Sequence, residues 1–108
     1  MHIERRHNVG KEDAIKKIDA FLDDMLRRPI PGGITVSEVQ KNWTGNVMNV
    51  SFKAGKFFFS TTISGTVRVN DEDVMMDSEL PNLVTQFVSE DEVHRVINKK
   101  LDGLFPLR

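Results

Sequence analysis

The stretch VMNVSFKAGKFFFSTTISGTVRV, Val47 to Val69, decides how this chain is read. It holds two runs in which apolar and polar residues alternate with a period of two, as in strands that turn one face to a core. Between the runs stands Gly55-Lys56. A glycine at the first position of a two-residue turn takes positive φ at no steric cost, which is what a type II′ hairpin asks for. With the turn placed there, Ala54 faces Phe57, Phe52 faces Phe59, Val50 faces Thr61 and Met48 faces Ile63. One sheet face becomes apolar, with Phe57 and Phe59 in it, and Phe58 is left outside. The other face collects Asn49, Ser51, Lys53, Ser60, Thr62, Ser64, Thr66 and Arg68, polar residues compatible with a solvated sheet surface. A slip of one residue would invert every side chain, so this agreement is informative.

The same face assignment extends both ways. Upstream, Gly45-Asn46 repeats the turn chemistry after a strand from Thr35 to Trp43, setting Trp43 against Met48 and Val39 against Phe52. Lys41 then falls opposite Val50, a misfit an outer strand tolerates when lysine lays its methylenes on the sheet and keeps its charge in water. Downstream, Asn70-Asp71-Glu72-Asp73 closes a four-residue loop onto a strand from Val74 to Leu80. Val69 meets Val74, Val67 meets Met76 and Ile63 meets Leu80. Asp77 and Glu79 join the polar face, which Phe58, Val47 and Met75 interrupt.

Two helices flank this meander. Ala14, Ile15, Ile18, Phe21, Leu22, Met25 and Leu26 recur at helical spacing behind an acidic first turn, Glu12-Asp13. That helix stops near Arg28, before Pro29-Ile30-Pro31-Gly32-Gly33. Ser89 with Glu92 forms a capping box ahead of Val93, Val96, Ile97, Leu101 and Leu104, with Lys100 inside the stripe and Gly103 and Pro106 marking the end. Residues 2 to 7 alternate around Ile3 as a polar first strand whose partner the sequence leaves open. The expectation is one α+β domain over residues 1–108, in the order β-α-β-β-β-β-α, with an antiparallel meander and both helices on its apolar face.

Composition removes several functions. The 108 residues include no cysteine, which disfavours a disulfide scaffold and a thiolate metal cage and fits a reducing cytoplasm. No apolar run approaches the roughly 18 residues of a membrane span, and the residues after Met1 do not read as a signal peptide. Fifteen Lys and Arg against sixteen Asp and Glu give a net charge of −1. From Val69 to His94 there is no Lys or Arg but eight carboxylates, so that part repels nucleic acid. His2, His7 and His94 lack metal-ligand spacing and read as isolated surface histidines, and Asp71-Glu72-Asp73 lacks the glycine and distal glutamate of a calcium loop. Asp23 with Asp24, and Asp77 with Glu79, are carboxylate pairs at exposed positions, where no cleft shifts a pKa. No nucleophile elbow, phosphate loop or dinucleotide fingerprint is present, and the expectation is a protein without enzymatic activity, cofactor or metal.

Three segments carry a likeness to a known family. Arg6-His7-Asn8-Val9-Gly10 runs into Glu12-Asp13-Ala14; Ile63-Ser64-Gly65-Thr66-Val67-Arg68-Val69 precedes the acidic turn and Val74; Glu79-Leu80 precedes the last helix. On these the chain resembles the small polyhydroxyalkanoic acid system proteins of bacterial polyester-storage gene regions. Arg28 to Gly33 and the triple phenylalanine depart from that pattern. The resemblance implies a cytoplasmic accessory protein associated with storage granules or their proteins, and it supplies no catalytic residues. Candidate contacts are Trp43, Val47, Phe58 and Met75, apolar groups that a greasy surface or partner would touch. Two other readings fit the architecture: a small acyl carrier with a pocket between helices and sheet, and a homo-oligomer joined along the first strand or the Thr35 to Trp43 strand.

Overall fold

The computed structural model describes residues 1–27, 33–81, 85, 86 and 88–105. Along the chain come β1 (His2–Arg6), α1 (Lys11–Arg27), β2 (Thr35–Thr44), β3 (Val47–Lys56), β4 (Phe59–Val69), β5 (Asp73–Ser78) and α2 (Glu90–Leu104). The five strands form one antiparallel sheet in the order β1-β5-β4-β3-β2, so the first strand pairs with the last. Ala14, Ile18 and Leu22 of α1 and Ile97 and Leu101 of α2 pack with Met48, Val67, Val69 and Val74 in one buried cluster. Both helices therefore cover a single face of an α+β fold.

The outer hairpins have the expected register. Gly45 holds φ at +61°, Thr44 pairs with Val47 and Trp43 with Met48 across the first turn. Val69 pairs with Val74 and Val67 with Met76 across the acidic loop. That loop is closed by Asn70, whose amide donates to the Asp73 carbonyl at 2.8 Å and whose side chain donates to the Asp73 carboxylate at 2.6 Å. Leu80 lies beyond the end of β5 and packs instead beside Ile63.

The central hairpin differs from the expectation. Gly55-Lys56 is not the turn: both residues lie in β3, and the turn is Phe57-Phe58, with Lys56 paired to Phe59, Phe52 to Ile63 and Met48 to Val67. The alignment is held from the other end, where the Val69 amide donates to the Asn46 carbonyl at 2.9 Å and the Asn46 side chain donates to the Val69 carbonyl at 2.7 Å. Because each partner moves by an even number of residues, faces are preserved although contacts change. Ile63 and Val67 stay buried, and Thr62, Ser64, Thr66 and Arg68 stay exposed. Phe57 and Phe59, expected in the core, sit at the lengthened end of the hairpin, exposed.

β2 carries a second difference. Thr35 to Ser37 pair one step out of phase with Gln40 to Thr44, and Glu38 adopts φ +52°. This bulge lets even-numbered Ile34 and Val36 share the helix-facing side with odd-numbered Lys41 and Trp43, and it turns Val39 into solvent instead of against Phe52. It also breaks the regular edge that strand addition would need.

α2 starts as expected, with the Glu92 amide donating to Ser89 Oγ at 3.1 Å. It does not stop at Gly103, which is helical. The helix runs to Leu104, and the Phe105 amide donates to the Leu101 carbonyl at 2.8 Å. Phe105 leaves the helix because a residue before proline is pushed out of the α region. The loop expected at 29–33 falls mostly outside the described residues, as does Pro106; Gly33 is described, at φ +75°.

Candidate functional site

Phe57, Phe58 and Phe59 form the tip of the β3 and β4 hairpin, Phe58 fully exposed and Phe57 and Phe59 exposed at 83 and 56%. A single exposed aromatic needs no explanation, but three in sequence at a hairpin end do. The tip is also strained. Phe57 holds φ at +58°, a region that costs a bulky L-residue about 1–2 kcal/mol. Lys56 Nζ lies 5.6 Å from the Phe57 ring centroid, within cation–π range. Lys53, two residues from the tip strand's glycine, pairs with Glu38 at 3.1 Å. Lys56 is thus the cation set against the apolar tip, while the charge of Lys53 is matched by Glu38.

The four candidate contacts do not form one patch. Val47 and Met75 come together, flanking Arg68 in one cross-strand row on the outer face. Phe58 lies ten or more residues along β3 from Val47, about 30 Å at strand rise. Trp43 is on the opposite face, packed against the helix-side core, with its indole N–H donating to Asp19 Oδ1 at 2.9 Å. The Gly45-Asn46 register, which sets Trp43 against Met48, already puts it on this inner face, and the structure does the same, so Trp43 is not an outer contact. In the structure Lys41 is not left in water: its ammonium reaches Asp19 at 2.7 Å and Asp23 at 2.6 Å, and the side chain is only 17% exposed. Asp23, expected to be idle, is thus half of a clamp joining α1 to β2. Hydrogen bonds from Lys41 and then Trp43 hold the Asp19 carboxyl below its usual range. Burial alone would lower the Lys41 pKa, but the hydrogen bonds and charges of Asp19 and Asp23 outweigh it and raise it.

The outer face is a broad depression of about 890 Å³, lined mostly by residues of polar type and crossed by the row Asn42, Asn49, Thr66, Asp77 and His2. His2 bonds to Glu4 at 2.9 Å and to Asp77, and these two contacts, Glu4 first, raise its pKa. The shift favours the charged imidazolium and so works against a general-base role. His7 corrects another expectation. It is buried, its Nε2 bonds to the Asn70 carbonyl at 2.9 Å, and its ring packs 5.6 Å from that of Phe105. The Asn70 carbonyl can only accept, so Nε2 carries the proton and donates, while Nδ1 has no partner among the described residues. His94 bonds to Asn98 at 2.8 Å. Among the described residues no group of three or more His, Asp or Glu side chains is arranged to hold a metal, and no helix is long and apolar enough to cross a membrane.

Two of the segments that carried the family likeness meet in space. The His7 amide donates to the Glu72 carbonyl at 2.8 Å, Arg6 pairs with Glu72 at 3.4 Å and Lys11 with Asp71 at 3.8 Å, so the junction of β1 and α1 docks on the acidic turn. A family model described as "Putative polyhydroxyalkanoic acid system protein" matches residues 1–105. The chain belongs to this family. Neither a curated protein nor a solved structure matches it. In this polyhydroxyalkanoic acid system protein the docked junction fixes β1 at the sheet edge beside β5, at the end of β4 away from the aromatic tip.

Proposed function

We propose that this polyhydroxyalkanoic acid system protein is a non-enzymatic accessory that attaches to the surface of polyester storage granules through its β3 and β4 hairpin tip. The observation that carries the reading is the exposed run Phe57-Phe58-Phe59, together with membership of a family named for the polyester system. Moving a phenylalanine from water into an apolar phase contributes about 1.5–3 kcal/mol, so three at one point suffice for reversible attachment. Retaining a strained backbone at Phe57 fits a tip whose shape serves contact more than stability. Attachment to granules places the chain in the cytoplasm, which suits a sequence without cysteine. Phe58 remains the leading contact; Val47 and Met75 form a separate spot and Trp43 a structural anchor.

Mixing the purified protein with washed polyhydroxybutyrate granules and sedimenting them tests this. The wild type pellets with the granules, F57S/F58S/F59S stays in the supernatant, and V47S/M75S pellets like the wild type. Equal pelleting of the tip variant and the wild type would overturn the proposal. If granules stripped of their proteins fail to retain a wild type that native granules retain, the contact is a coat protein and not the apolar surface.

A further inference from the structure

The helix-facing side of the sheet is built of cross-strand rows, and one of them is nearly empty. Phe52 and Ile63 make one row, with Leu80 beside it, and Met48, Val67 and Met76 make another. Between them runs Val50, Gly65 and Ser78, where two of three positions carry almost no apolar bulk. The core divides there into two buried clusters, the larger around Met48 and Val67 and the smaller around Ala54 and Ile63. A cavity of about 130 Å³ occupies the gap, with Val50 and Gly65 as its floor and Leu22 of α1 and Val93 of α2 in its roof.

Gly65 cannot fill it. A Cβ at this position would meet the Asp77 carbonyl oxygen at 2.8 Å and Ser78 Cβ at 3.2 Å, so the close approach of β4 and β5 demands glycine and leaves the floor open. We propose that this cavity is a binding site for the hydrocarbon end of a small acyl compound, with the polar head outside. The chemistry follows from the lining. Among the described residues its side chains are aliphatic, aromatic and thioether except at the β4 and β5 wall. There Asp77 bonds to His2 on the outer face, and the Ser78 hydroxyl donates to the Ser64 carbonyl at 3.0 Å. A polar group carried inside would be buried without a partner, which is costly, whereas a hydrocarbon loses nothing. The volume sets the length: a cavity of about 150 Å³ accepts benzene, so a tail of roughly six carbons is the upper limit. Met25 and Met76 at its walls supply side chains that adapt to such a guest. The site is independent of the aromatic tip, which lies at the hairpin end.

Titration of methyl esters into protein labelled at Ile, Leu and Val methyls, followed by NMR, tests the inference. Methyl hexanoate produces saturable shifts at Ile63, Val67, Leu22 and Val93 and none at Val39 or Val47, and methyl dodecanoate does not produce them. Val50→Leu and, separately, Val93→Leu, which grow one methylene into the cavity, weaken methyl hexanoate binding at least ten-fold. F57S/F58S/F59S leaves it unchanged, so failure of the granule reading and failure of this one are separable. Absence of saturable shifts in the wild type, undiminished binding in both Leu variants, or equal binding of the dodecanoate ester would overturn it.

Discussion

Phe57 occupies a backbone conformation that asparagine enters far more readily. Phe57→Asn is therefore expected to raise unfolding stability by about 0.5–1 kcal/mol in urea titrations while lowering granule retention, the opposite signs expected where a strained residue is kept for contact. A loss of stability would show that the ring packs against the hairpin in a way its exposure does not suggest. The Asp19, Lys41 and Trp43 contact makes a pH prediction. Asp19 has a folded pKa below its ordinary value of 3.8, so it contributes stability that is present above that value and is lost as pH falls through the lowered folded pKa. Trp43 emission should report the step, and Asp19→Asn should remove it, at a cost of about 1 kcal/mol at neutral pH because the pair is partly solvated. An acid transition in Trp43 emission that survives Asp19→Asn would assign it elsewhere.

At the scale of elements, two glycines make a contrasting pair. Gly65→Ala drives a Cβ against the Asp77 carbonyl and should destabilise by about 1–3 kcal/mol. Gly103→Ala, in an exposed helical position with nothing within 4 Å of the new Cβ, should stabilise by about 0.5–1 kcal/mol. Thermal melts of the two variants decide both. The same elements show what was legible in the sequence. Period-two alternation assigned β3, β4, β5 and the Lys41 to Thr44 half of β2 to the right face, since faces depend only on parity, and it failed before the Glu38 bulge, where the parity changes. Turn chemistry placed Gly45-Asn46 correctly but was misleading at Gly55-Lys56, because Asn46 clamps Val69 at the far end of the hairpin and a local dipeptide cannot outweigh that alignment. The aromatic tip follows from that displacement. The bulge at Glu38 and the burial of His7 were also out of reach: each depends on a partner strand or turn that only the folded chain brings near. Lys41 looked like a misfit because its two carboxylates come from a helix some twenty residues away in sequence.

Taken as one molecule, the chain keeps its carboxylate-rich turn at the β1 and α1 junction and its triple phenylalanine at the other end of β4, so the two ends of the meander differ in chemistry. With a net charge of −1 the protein has no long-range attraction to drive it onto a surface, and attachment must come from the apolar point itself. Fluorescence from that point is the most direct test. Phe58→Trp in a Trp43→Phe background puts the sole indole at the tip; on adding polyhydroxybutyrate granules its emission should shift to the blue and become shielded from acrylamide quenching. If the protein sediments with granules while that emission and its quenching stay as they are in buffer, the tip is not what touches the polyester.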